Sequence, residues 1–76
     1  MGELYSDLDL LDDIIRVLGK RRALDSKALA KEVGHSETAV LEQLTESYYF
    51  QPAATPGKLG RYELSGRGIE RFEKIS

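Results

Sequence analysis

The side chains that could do chemistry in this 76-residue chain are cations, carboxylates and a single histidine. Apart from Arg16 and Lys74, the eleven lysines and arginines fall in three places: Lys20-Arg21-Arg22, the pair Lys27 and Lys31, and Lys58, Arg61, Arg67 and Arg71. Clustered cations are the donors that phosphate oxygens take. The stretch 35–50 is the reverse, with Glu37, Glu42 and Glu46 and no lysine or arginine. A glutamate can accept from cytosine N4, and a face of glutamates can dock a basic protein surface. Among them stand Gln43, which can pair with adenine, and Thr38, a hydroxyl donor. His35 is the lone imidazole, but no second ligand or nucleophile lies at a useful spacing, so it reads as a turn residue. Asp12 and Asp13 are neighbours about 100° apart on a helix, which gives a solvated face rather than a shared carboxylate site. Tyr48-Tyr49-Phe50 could stack bases, but a domain this small needs its aromatics inside, and they read as core.

Several classes of chemistry are missing. The chain has no cysteine and one histidine, which excludes disulfides, thiolate-held clusters and a zinc site of the Cys/His type. Phosphate-cradling glycine loops and nucleophile elbows are absent as well. The expectation is a protein that is not an enzyme and takes no cofactor. No apolar run reaches the roughly 20 residues of a membrane helix, and no secretory leader is visible, which together point to the cytoplasm. The formal charge is −2, against the strongly basic balance of a simple nucleic-acid binder. Its distribution says more: 1–19 sums to −4 and 20–34 to +3, 35–50 is acidic, and 51–76 is basic again.

These groups need a scaffold, and the chain is long enough for one domain. A first helix is predicted over 6–18, capped by Ser6 or Asp7, with Leu8, Leu10, Leu11, Ile14, Ile15, Val17 and Leu18 apolar and Gly19 as the residue that ends it. Asp7 and Asp9 suit its N-terminus, while Asp12 and Asp13 lie four and three residues before Arg16. A second helix is predicted over 25–34, capped by Asp25 or Ser26, burying Ala28, Leu29, Ala30 and Val33, and stopping at Gly34. A third runs over 36–48 from the cap Ser36 and buries Val40, Leu41, Leu44 and Tyr48. Two short amphipathic helices joined by Gly34-His35-Ser36 have the form of a helix-turn-helix.

Beyond them, 49–64 reads as a hairpin, with strands at 49–51 and 61–64 and Pro56-Gly57 at the centre of a type II turn. Tyr62 and Leu64 share one strand face. A closing helix follows over 65–75, capped by Ser65, with Ile69, Phe72 and Ile75 on one side and Gly66 and Gly68 weakening its start. Ala23-Leu24 can add a minimal strand before the second helix. The fold class expected is mainly α with a small β-hairpin, in the order α1-(β1)-α2-α3-β2-wing-β3-α4.

Five features fix a further likeness: Asp25 at a cap, the Leu29-Ala30 pair, Gly34 and Ser36 in the turn, Val40 and Leu44 after it, and Tyr62-x-Leu64-Ser65-x-x-Gly68. From Ala23 to Phe72 the chain resembles a winged helix-turn-helix DNA-binding domain of the small prokaryotic transcriptional-regulator type. In that family a tyrosine-x-leucine-threonine-x-x-glycine run often leaves the wing. The chain departs from the pattern at Ala28, where many relatives carry glutamate, and at 47–50, which lacks the glycine that often ends the third helix. The resemblance implies double-stranded DNA as partner, with the third helix in the major groove and the wing on the backbone or minor groove. Carried onto this sequence, Thr38 and Gln43 would face the groove, Lys58 and Arg61 would lie at the wing, and Arg21, Arg22, Lys27 and Lys31 would contact phosphates. Without a cation on the third helix, the alternative is a protein-interaction module of the same fold, using Glu37, Glu42 and Glu46 and the acidic first helix to dock a basic partner. A homodimer is permitted by the apolar breadth of the first helix, though no heptad seam indicates one.

Overall fold

The computed structural model describes residues 7–53 and 60–75. Seven elements follow in order: α1 (Asp7–Arg21), β1 (Ala23–Asp25), α2 (Ser26–Val33), α3 (Glu37–Glu46), β2 (Phe50–Pro52), β3 (Arg61–Leu64) and α4 (Gly66–Ile75). The molecule is mainly helical, with one three-stranded antiparallel sheet of strand order β1-β3-β2. β3 pairs Leu24 with Tyr62 on one side and Phe50 with Leu64 on the other. The strand leaving the hairpin is thus the central one, and the three residues before α2 close the sheet.

α1 supplies half of the core, because Leu10, Leu11, Ile14, Ile15 and Leu18 recur at spacings that put them on one side of a helix. Against them pack Leu29 of α2, Val40 and Leu44 of α3, and Phe50 and Leu64 of the sheet. Ile14, Ile15, Leu29 and Val40 are fully enclosed. Each such side chain contributes about 1.5–3 kcal/mol over an exposed one.

The first helix does not stop at Gly19. It continues to Arg21, the Arg22 N–H still reaches the Leu18 carbonyl at 2.9 Å, and Arg22 itself takes the left-handed conformation with φ 74°. Gly19 serves packing instead: the Phe72 ring lies where a β-carbon would be. Gly68 is likewise a point of close approach, with the Tyr49 carbonyl and Leu64 over it. It admits the chain that enters β2, rather than merely weakening α4.

The third helix ends at Glu46, two residues before the predicted stop. Ser47 terminates it by donating its hydroxyl (2.8 Å) and its N–H (3.2 Å) to the Gln43 carbonyl. The next two carbonyls are then taken by Ser65, whose hydroxyl donates to Tyr48 (2.7 Å) and whose N–H donates to Tyr49 (2.9 Å). That turn sends Tyr48 outward, 80% exposed, so of the three aromatics read as core only Tyr49 and Phe50 pack inward. Ile69, expected on the inner side of α4, is also half exposed, while Phe72 and Ile75 pack against the core. Pro56-Gly57 and Lys58, like Ser6, lie outside the described residues. Within those residues no helix is long and apolar enough to cross a membrane.

Candidate nucleic-acid interface

The unit that would meet a nucleic acid is α2, its three-residue turn and α3, and local chemistry defines its bounds. The Asp25 carboxylate accepts from the Ala28 N–H at 2.7 Å and opens α2. Gly34, at φ 75°, closes it in the left-handed conformation that an L side chain resists, and its N–H and that of His35 both reach the Ala30 carbonyl. The Ser36 hydroxyl then accepts from the Ala39 N–H at 3.2 Å and opens α3. A side-chain bond ties the two helix starts together: the buried Ser26 hydroxyl donates to the Glu37 carboxylate at 2.7 Å. Glu37 is therefore engaged within the fold. His35 sits half-buried in the turn.

The outer face of α3 carries Thr38, Glu42, Thr45 and Glu46, all exposed, with Gln43 half-buried beside them. Thr45 turns its hydroxyl back to the Leu41 carbonyl at 2.9 Å, leaving Thr38 and Gln43 as the polar uncharged groups of that face. Glu42 and Glu46 form an acidic ridge along it.

The predicted cations do not stay together. Lys27 and Lys31 are exposed on α2, and Arg61 opens β3 opposite Asp25, level with the start of α2. That register brings the base of the hairpin beside the α2–α3 unit. Arg21 reaches Glu32 at 3.1 Å across an exposed ion pair. Arg22 points to the other side of the molecule, where it lines a groove with α4 and the sheet. The tract 20–22 therefore spreads over two faces.

Of two further ion pairs, one follows the local spacing read from the sequence and the other does not. Arg16 pairs with Asp13 at 3.1 Å, the neighbour three residues back. Asp12 is claimed by Arg71, 59 residues later, through two parallel bonds of 3.1 Å from Nε and Nη2. The Asp12 carboxylate is thus partly buried between α1 and α4 and not part of a solvated face. Hydrogen bonding to Asp12, then its charge, raises the Arg71 pKa above the ordinary guanidinium value. Planar carboxylate and guanidinium meeting this way fix orientation as well as charge. Arg71 serves as a tie between helices. Among the described residues no three acidic or histidine side chains gather as a metal site.

No family model matches this chain, and neither a curated protein nor a solved structure matches it.

Proposed function

We propose that the chain is a winged helix-turn-helix protein that binds double-stranded DNA and acts, without catalysis, as a cytoplasmic transcriptional regulator. One observation carries the reading: α2 and α3, each capped and joined by Gly34-His35-Ser36, stand beside a hairpin whose exit strand is central to a sheet of order β1-β3-β2. In that arrangement α3 enters the major groove with Thr38 and Gln43 toward the bases, and the hairpin lies along the backbone. Lys27 and Lys31 on α2, Arg61 of β3 and, by its place in the sequence, Lys58 supply the phosphate contacts. Arg21 and Arg22 contribute less, the first because it pairs with Glu32 and the second because it faces α4.

The test is an amide chemical-shift titration of the full chain with a mixed-sequence duplex at about 50 and about 200 mM salt, a range over which phosphate-dominated binding weakens steeply. Salt-sensitive shifts at Ser36 to Gln43, Lys27 and Arg61 are expected. An unshifted spectrum at both salts overturns the reading.

A second reading is supported by the charge of α3, whose ten residues include three glutamates and no cation. In it the same face, with the acids of α1, docks a basic protein surface.

A further inference from the structure

A groove of about 590 Å³ lies on the α4 side of the molecule. Its floor is apolar, built by Leu18, Leu64, Ile69 and Phe72. Ile69 is half exposed there, one of two large hydrophobics so displayed among the described residues. The bare backbone of Gly19 lets the Phe72 ring approach α1 closely.

The groove walls differ in charge. Arg22 stands at the end of α1, and Glu73 on α4. Neither makes an ion pair among the described residues, and both are exposed. Glu63, the other carboxylate of the rim, accepts from the Gln51 amide at 2.6 Å and is already held. An apolar floor between one unpaired cation and one unpaired anion has a particular consequence. A two-fold dimer applies the same patch to itself, so every charge meets what stands across the axis. A rim of one sign repels its own copy; a rim of opposite signs pairs with it twice. Two other charged faces fail this condition: Glu42 and Glu46 on α3 would oppose glutamates, and Lys27 and Lys31 on α2 would oppose lysines.

We infer that the groove between the end of α1 and α4 is a homodimer interface, in which Ile69 and Phe72 of two copies cover one another and Arg22 of each copy pairs with Glu73 of the other. The inference is independent of DNA binding and leaves the α3 face outward. In the dimer Arg22 is occupied by the second copy rather than by a phosphate.

Sedimentation velocity on the full chain without DNA tests it, from about 5 to about 500 µM, a range that brackets interfaces of modest affinity. The expected result is a concentration-dependent dimer that Ile69→Glu abolishes while the circular dichroism stays that of the wild type. Arg22→Glu alone, or Glu73→Arg alone, places like charges across the axis twice and raises the dissociation constant about tenfold or more. An equimolar mixture of those two variants restores both ion pairs in a heterodimer and regains the wild-type constant. Damage within one chain cannot be repaired by mixing. A monomer at every concentration overturns the inference, as does a dimer indifferent to Ile69→Glu or a mixture no tighter than either variant alone.

Discussion

Gly66 and Gly68 are two residues apart in the first turn of α4, and their neighbourhoods give them opposite roles. Space is open where a β-carbon would project from Gly66. Replacing a helical glycine with alanine in open space removes unfolded-state freedom at no steric cost, so Gly66→Ala should stabilise by about 0.5–1 kcal/mol. At Gly68 the same β-carbon would overlap the Tyr49 carbonyl and press on Leu64. Backbone cannot swing away as a side-chain tip can, and Gly68→Ala should cost about 1–3 kcal/mol, the usual range for overpacking. Urea unfolding of the two variants checks both signs; equal effects would mean that the chain entering β2 does not cross α4 as described. A sequence presents these glycines identically. What separates them is Tyr49, nineteen residues away, brought over α4 by the bond from the Ser65 N–H.

The same contrast between local and distant causes decides how much of each element was legible in the sequence. α2 and α3 begin where predicted because their caps, Asp25 and Ser36, bond backbone three residues on, and α2 ends at Gly34 because only the left-handed conformation is needed there. The minimal strand at Ala23-Leu24, which runs one residue further to Asp25, and the exit strand of the hairpin were legible from short runs between turn residues. The end of α1 was not, since the reason for Gly19 is a ring on α4, and the residue that leaves the helix, Arg22, has no type-based signal for a positive φ. Tyr48 misled for a related reason, as its apolar spacing continued past the serine that stops α3. At the candidate site, sequence named the cations but could not show that Arg21 is paired or that Arg22 faces α4. The tie between α1 and α4 through Asp12 and Arg71 was equally hidden. It predicts a measurable coupling between the two elements: Asp12→Asn and Arg71→Gln should each lower the urea midpoint, and the double variant should lose less than the sum of the two. Additive losses would show that the pair contributes no interaction. Because folding raises the Arg71 pKa, its share of stability is full at neutral pH and fades only as the pH rises through and beyond the free guanidinium's range. Substitution, not alkaline titration, is therefore the way to break the contact.

For the whole molecule the governing quantity is the pattern of charge, since a net charge of −2 neither requires nor forbids a polyanionic partner. Lys27, Lys31 and Arg61 stand around the α2–α3 unit, while Glu42 and Glu46 line the exposed face of α3. Binding under the DNA reading is then a contest in which phosphate contacts must outweigh two like-charge approaches, each costing about 1 kcal/mol at 4 Å even at water's dielectric. Such a protein should discriminate weakly among sequences and depend strongly on salt, because its attraction comes from cations on phosphates rather than from base edges. The double substitution Glu42→Lys plus Glu46→Lys separates this from the protein-partner reading. It turns the ridge from repulsive to attractive without touching the core, as both side chains are exposed. If DNA is the partner, duplex affinity at about 50 mM salt should rise at least about tenfold, and the dependence of log K on log salt should steepen by roughly two phosphate contacts. If the acidic face instead docks a basic protein, the same change places lysines against that partner's cations and abolishes capture, while the wild type shows no duplex affinity to improve. Fluorescence anisotropy with a labelled duplex, run on wild type and variant across a salt series, gives both the change in affinity and the change in slope. An increase in affinity with an unchanged slope would mean that the new lysines act away from phosphates, placing α3 somewhere other than against the duplex.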